Sequence, residues 1–277
     1  MRTVALASGT QVPALGQGTW KMGERNTMRR DEVAALRLGI ELGMTLVDTA
    51  EMYASGGAEE VTGEAIAGRR NEIFLVSKVL PSNASASGTI KACEASLKRL
   101  GTDRIDLYLL HWRGRFGLTE TVEGFEALKQ QGKIGGWGVS NFDTGDMAEL
   151  AGVANGNAVE TNQVLYNLST RGIEYDLMPA QRCSGIAVMA YSPVGQGDLA
   201  ANAKLDVVAK RHGATCAQIA LAWTLRDPMV ISIPKAATAA HVRDNSAALD
   251  IVLTDADLAE LDAVFPPPTR KQPLDMI

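Results

Sequence analysis

Apolar residues in this chain fall into short unbroken runs separated by longer amphipathic stretches, at intervals of about 30 residues. The runs at 45–48, 73–77, 105–110, 134–139, 159–164, 186–190 and 230–233 are mostly continuous rather than alternating. That pattern predicts strands buried on both faces, as in a parallel sheet. A short eighth run lies around Ala14-Leu15-Gly16. The stretches between are helical in period. Residues 31–42 bring Val33, Leu36, Ile40 and Leu42 to one side, with Asp31 near the start and Gly43 after the end. Residues 86–100 space Ile90, Cys93, Leu97 and Leu100 likewise, and Gly101 stops them. Further helices are predicted at 58–67, 119–131, 144–153, 174–183, 202–212, 215–226, 239–249 and 255–263, the last with Thr254 as N-cap.

Eight strand–helix units in 277 residues predict a (β/α)8 barrel of the TIM type. A doubly wound sheet is the competing arrangement. It is weakened because no strand–GxGxxG–helix unit is found, and Gly16-Gln17-Gly18 lacks the third glycine. No glycine- or serine-rich linker divides the chain, so residues 1–277 are read as one domain. Residues 3–13 read as a β-hairpin turning at Ser8-Gly9-Thr10, suited to plug the bottom of the barrel. A short extended tail follows Pro266-Pro267-Pro268.

In such a barrel the C-terminal ends of the strands carry the chemistry. Asp48 closes the second run, Lys78 the third and His111 the fourth, and Tyr53 follows Asp48 closely. One cleft would then hold a carboxylate, an ammonium, a phenol and an imidazole. A lysine buried at a strand end needs an anion, and Asp48 on the next strand is the natural one. A purely structural salt bridge would explain that pair but leave Tyr53 and His111 as coincidence. Used together, the four can move a proton. A free phenol ionises near pH ~10, and a nearby ammonium is expected to lower that value, which suits Tyr53 to general acid–base work. Asp48 would hold Lys78, and His111 would hydrogen-bond a substrate oxygen.

A proton donor to a carbonyl needs a hydride source, and no side chain supplies one, so a cofactor is implied. The later strand ends offer holders for it. Ser140 and Asn141 follow Gly138-Val139, and Gln163 adds an amide on the next strand. Tyr191-Ser192-Pro193 presents an aromatic face and a hydroxyl, and Ile233-Pro234-Lys235 places a cation before a helix N-terminus, a favourable anion site.

Composition narrows the choice further. A net charge of −5 argues against a nucleic-acid binder. No apolar stretch approaches the ~18 residues that span a bilayer. The opening Met1-Arg2-Thr3-Val4 leads into no long apolar core, so no secretory leader is expected and the protein is read as soluble and cytoplasmic. Cys93, Cys183 and Cys216 are far apart and are expected to be reduced core thiols. Neither they nor the three histidines have metal-site spacing, so no metal is expected.

These residues, in this order, resemble the aldo-keto reductases over almost the whole chain. The match is carried by Gly16-Gln17-Gly18-Thr19-Trp20, Asp48-Thr49-Ala50-Glu51-Met52-Tyr53, Lys78, Leu109-Leu110-His111-Trp112, Gly138-Val139-Ser140-Asn141, Gln163 and Ile233-Pro234-Lys235. The short loops and the ending Pro273-Leu274-Asp275-Met276-Ile277 look most like small bacterial members of the methylglyoxal-reductase type. The resemblance implies a nicotinamide-dependent carbonyl reductase with Tyr53 as acid and Asp48, Lys78 and His111 assisting. It implies that Ser140, Asn141 and Gln163 bind the nicotinamide carboxamide and that Tyr191 stacks on the ring. Gly18, Thr19, Trp20 and Asp48 would also border the cofactor, and Ser192, Pro193, Val194, Gly195 and Gly197 would border its pyrophosphate. Ile233, Pro234, Lys235, Ala236, Thr238, His241 and Asn245 would surround the adenosine end. Trp20, Tyr53, His111 and Trp112 would line the substrate pocket.

Two departures from the family pattern stand out. Many NADPH-preferring relatives have a serine or threonine after the lysine and an arginine six residues beyond it, where this chain has Ala236 and His241. Lys235 keeps NADPH the expected cofactor, with NADH usable. The loop 113–118 and the tail are also short, which predicts a shallow, open pocket and weak discrimination among small aldehydes, ketones and dicarbonyls. The only partner expected is a small carbonyl compound, with no nucleic acid or membrane, and monomer is the default. Two other functions remain open at this point: a nicotinamide-nucleotide-sensing module with little turnover, and a lyase using Lys78 as a Schiff-base nucleophile.

Overall fold

The computed structural model describes residues 2–277. Eight parallel strands form one sheet: β3 (Gln17–Gly18), β4 (Leu46–Asp48), β5 (Phe74–Val79), β6 (Ile105–Leu110), β7 (Ile134–Ser140), β8 (Val159–Leu165), β9 (Ala187–Tyr191) and β10 (Val230–Ser232). Each pairs with its neighbours in chain order, the pattern produced when a helix returns the chain after every strand. An antiparallel hairpin, β1 (Thr3–Ala5) and β2 (Gln11–Pro13), precedes the sheet, with Val4 opposite Val12.

The helices are α1 (Arg29–Glu41), α2 (Gly57–Ile66), α3 (Ala86–Leu100), α4 (Leu118–Gln130), α5 (Thr144–Ala151), α6 (Leu177–Ser184), α7 (Asp206–Arg211), α8 (Cys216–Leu225), α9 (Ala239–Ala247) and α10 (Asp255–Val264). Several start where a side chain can satisfy their free N–H groups. Ser85 accepts from Gly88 at the head of α3, and capping boxes open α5 (Asp143, Asp146), α8 (Thr215, Gln218) and α10 (Thr254, Asp257).

The first strand departs from the expected position. The apolar run at 14–16 pairs with the last strand rather than the second: Gly16 N–H donates to Ser232 O at 2.9 Å, and Ser232 N–H to Ala14 O at 2.7 Å. Pairing with β4 begins only at Gln17. A further bridge joins Gly18 to Lys235. The segment 14–18 thus bonds to both ends of the strand order and brings the sheet's edges together. The helices expected at 174–183 and 202–212 also start late, at Leu177 and Asp206, each preceded by a turn of 3-10 helix.

Core packing follows the alternation of strand side chains. One cluster joins inward residues of the sheet, among them Leu46, Val76, Leu107, Leu109, Met189 and Ile231, to Val4, Leu6 and Val12 of the hairpin. The hairpin therefore packs on the sheet interior, as expected of a plug. Two other clusters lie between sheet and helices: one over the first half of the chain, around Leu75, Tyr108, Phe125 and Trp137, and one over the second half, around Tyr166, Val188, Ile219 and Trp223. Cys93 and Cys216 are buried, but Cys183 is exposed near the end of α6, so it is not a core thiol. Among the described residues no helix is long and apolar enough to cross a membrane, and no group of three or more His, Cys, Asp or Glu could hold a metal.

Candidate active site

Asp48 is the last residue of β4, Lys78 is the next-to-last of β5, and His111 follows β6 directly. Their adjacent strands bring them together at one end of the sheet. The Asp48 carbonyl is held by both the N–H and the hydroxyl of Thr19, each at 3.0 Å. Lys78 is fully buried, with 0% exposure, and its ammonium has three partners. It donates to Asp48 Oδ2 at 2.8 Å, to the Thr49 carbonyl at 2.9 Å and to the Tyr53 hydroxyl at 3.2 Å. Three donors meeting three acceptors use the full capacity of the group. The other Asp48 oxygen, Oδ1, accepts from Gln163 Nε2 at 2.7 Å, which ties the pair to β8.

Burial alone would lower the affinity of Lys78 for its proton, but Asp48 and Tyr53 outweigh that and hold its pKa above the ordinary value. An amine held so firmly protonated is a poor Schiff-base nucleophile. Tyr53 departs from expectation. Burial raises its pKa, and the opposing pull of Lys78 is smaller, so the net direction is upward rather than downward. Tyr53 therefore stands as a neutral phenol with a proton to give. His111 lies edge-on to Tyr53, with ring centroids 5.7 Å apart, and close to Trp112 at 4.8 Å. Burial, then the nearby Lys78 charge, pushes the imidazole pKa down to about 2, so the ring is neutral. Its Nδ1 is buried without a protein hydrogen-bond partner.

Lys78 lies buried behind, and Asp48, Tyr53, His111 and Gln163 open onto a cleft of about 630 Å3. Near Tyr53 its walls are Trp20, Met52, His111 and Trp112, and Gly18, Asp48, Ser140, Asn141, Gln163 and Tyr191 follow around the rim. Beyond them the cleft runs past Ser192, Pro193, Val194 and Gly197 to Ile233, Lys235, His241 and Asn245. At Gly18 a Cβ would lie 2.8 Å from the Ile233 carbonyl oxygen, so the two strands can approach here only with glycine in that place. Asn141 (φ 58°) and Ser192 (φ 48°) both take left-handed backbone at the rim, a conformation rare outside glycine that clusters at binding sites. Here the Tyr191 hydroxyl donates to Asn141 Oδ1 at 2.9 Å, and Asn141 Nδ2 donates to the His111 carbonyl at 3.2 Å.

Not every expected residue lines the cleft. Thr19 is buried behind it on Asp48, and Gly195, Pro234 and Ala236 are backbone neighbours of lining residues. Thr238 caps α9 by accepting from His241 N–H at 3.3 Å. The structure also adds lining residues that pattern reasoning missed: Lys21, Met52, Asp244, Met276 and Ile277. Lys21 and Met52 sit beside Trp20 and Tyr53 in sequence, a proximity that could have flagged them. The last two had no such signal. The tail was expected to leave the cleft unroofed, yet Lys271 donates to Thr144 Oγ1 at 2.8 Å, Leu274 packs on the second-half core, and the chain end returns to the cleft wall.

The model of the family described as aldo/keto reductase matches residues 14–265. The chain belongs to the aldo/keto reductase family. It is similar to methylglyoxal reductase YeaE of Escherichia coli, 53% identical with 100% of this chain and 99% of that protein covered. Glyoxal reductase of Bacillus subtilis is 31% identical, with coverage of 95% and 92%. An aldo/keto reductase of Klebsiella pneumoniae, crystallised with NADP and acetate, superposes with a TM-score of 0.97 at 53% identity, covering 100% of this chain and 99% of that one. This aldo/keto reductase is accordingly an oxidoreductase on an α/β fold of eight parallel strands.

Proposed function

We propose that this aldo/keto reductase converts small aldehydes, ketones and dicarbonyls of the methylglyoxal kind to alcohols, with NADPH as the reductant and Tyr53 as the proton donor. The observation that carries this is the Tyr53 hydroxyl: it sits 3.2 Å from a buried ammonium, faces the cleft beside a neutral His111, and keeps its proton. The names of the relatives, with a methylglyoxal reductase and a glyoxal reductase among them, support the substrate class. The bound NADP of the Klebsiella enzyme supports the cofactor.

The cleft residues suit a nicotinamide dinucleotide. Amides and hydroxyls of Ser140, Asn141 and Gln163 would hold the carboxamide, and the Tyr191 ring would face the nicotinamide. Lys235, His241 and Asn245 would take the phosphate-bearing adenosine end, where charge favours NADPH and NADH remains usable. When bound, the nicotinamide supplies the hydride. The protein's own part is electrostatic and positional. His111 orients the carbonyl oxygen by hydrogen bonding, without bringing a charge of its own. Tyr53 passes its hydroxyl proton to that oxygen as negative charge develops there, and Lys78 stabilises the phenolate left behind. Asp48 keeps Lys78 charged and aimed. Solvent then returns a proton to Tyr53. Trp20 and Trp112 would wall the substrate beside Tyr53 and His111.

Tyr53→Phe tests this. NADPH oxidation with methylglyoxal should fall by about 100-fold or more, the usual weight of a general acid. NADPH affinity, read by fluorescence titration, should hardly change. Normal turnover in that variant would refute the assignment.

A further inference from the structure

The segment that carries Tyr53 is attached to β5 at both of its ends. Successive strand residues point to opposite faces. Lys78 faces the barrel interior and meets the Tyr53 hydroxyl at 3.2 Å. Ser77 faces the helices, and its hydroxyl donates to Glu59 Oε1 at 2.6 Å. Glu59 belongs to the first turn of α2, a short way beyond Tyr53. Its second oxygen accepts from Arg99 Nε on α3 at 2.6 Å, and Arg99 Nη2 reaches the Ser96 hydroxyl at 3.2 Å. Glu59 and Ser77 are wholly buried. A carboxylate in such a place is tolerated only when its oxygens are bonded, and both are.

Between Tyr53 and Glu59 the chain passes through three consecutive left-handed residues: Ala54 at φ 50°, Ser55 at φ 52° and Gly56 at φ 95°. For alanine and serine this is a conformation that the surroundings must enforce. Arg99 supplies part of that enforcement, because its side chain lies against the turn. A Cβ built on Gly56 would fall 2.5 Å from Arg99 Cδ. One arginine therefore both pins Glu59 and braces the turn that follows the proton donor.

We propose that Glu59, Ser77 and Arg99 form a positioning clamp behind the barrel wall, holding the Tyr53 hydroxyl over Lys78 by fixing both ends of the 53–59 segment to adjacent residues of one strand. None of the three lines the cleft, so they act through Tyr53 and are positioning residues. The clamp rests on Tyr53 being the proton donor.

Ser77→Ala, Ser77→Thr and Glu59→Gln are the informative variants, with Tyr53→Phe as the reference. Ser77→Ala should lower kcat by about 10-fold, the scale expected for slight misplacement of a catalytic group. KM for methylglyoxal and the Kd for NADPH should stay within about twofold, because the binding walls are untouched. In the cofactor-free protein, an ultraviolet titration of the tyrosines, with Tyr53→Phe as the subtraction, should show Tyr53 ionising closer to an ordinary phenol as its segment loosens and water enters. Ser77→Thr keeps the hydroxyl and should restore both readouts. Glu59→Gln keeps an acceptor for Ser77 but loses the charge on Arg99, and should move both readouts in the same direction. It carries the test if Ser77→Ala fails to fold. Lower thermal stability with unchanged kcat and an unmoved Tyr53 titration in both variants would overturn the clamp. Full turnover by Tyr53→Phe would instead overturn the reading beneath it.

Discussion

The two halves of the rim are built differently. Around β4 to β6 the functional groups are bonded to one another: Asp48, Lys78, Thr49 and Tyr53 form one connected set, tied across to Gln163 of β8, and Asp48 and Lys78 have almost no access to solvent. Around β9 and β10, beyond the bond from Tyr191 to Asn141, the polar groups stand apart. Lys235, Thr238 and His241 are exposed, and Ser192 and Gln196 lie on left-handed turns. The first half is organised before any ligand arrives, and the second offers separate contacts along a groove. Fixed groups suit proton transfer, where small displacements are costly. Separate contacts suit a long molecule that must bind and leave.

The largest effect should come from breaking the connected half. Lys78→Met should nearly abolish reduction, and Asp48→Ala should also destabilise the fold by about 3–5 kcal/mol, because a buried ammonium is left unpaired. Urea unfolding of Asp48→Ala measures that cost, and a change below about 1 kcal/mol would mean that the pair is not buried in solution. The exposed half should respond more mildly and selectively. Lys235→Met is expected to weaken NADPH binding by about 10-fold and NADH binding much less, since one exposed charge–phosphate contact is lost. Equal loss for both nucleotides would place Lys235 away from the distinguishing phosphate.

The pH dependence sharpens the same contrast. His111, pushed down to about 2, stays neutral through the working range, so it should add no acid limb to kcat. The role proposed for Tyr53 requires its proton, and burial sets its pKa above the ordinary phenol value. Activity should therefore be level from about pH 5 to about pH 9 and fall only as pH rises through the Tyr53 ionisation. An acid limb near pH 6 would mean that the imidazole titrates there, or the Asp48 carboxyl, which burial pushes up. The smallest effect belongs to the chain end. Removal of Met276 and Ile277 should leave turnover of methylglyoxal within about threefold, while KM for bulkier apolar aldehydes rises as wall contacts are lost.

The cluster of Asp48, Tyr53, Lys78 and His111 was legible because each ends or closely follows an apolar run, and parallel strands bring such ends together. The helices were legible where period and end signals mark them, as over 86–100, stopped by Gly101, and at Thr254. The upward direction of the Tyr53 pKa was not legible. A lysine nearby in sequence order signals attraction, but desolvation depends on everything packed around the ring. Nor was the clamp visible: Glu59, Ser77 and Arg99 look like an ordinary helix charge, a strand serine and a surface arginine until the fold makes them neighbours. The return of the tail to the cleft escaped notice for a related reason, since Lys271, Leu274 and Ile277 show no periodicity and owe their positions to distant partners.

Local pattern was thus enough for the number and kind of elements, the parallel sheet, and which side chains stand at strand ends, because those follow from residue spacing and burial on both faces. Tertiary packing alone decided that pairing with β4 begins only at Gln17, that the chain end returns to the cleft, and that Tyr53 is held as a proton-bearing phenol. Each of those outcomes depends on contacts or desolvation from residues far apart in the chain, and spacing along a sequence carries no record of that.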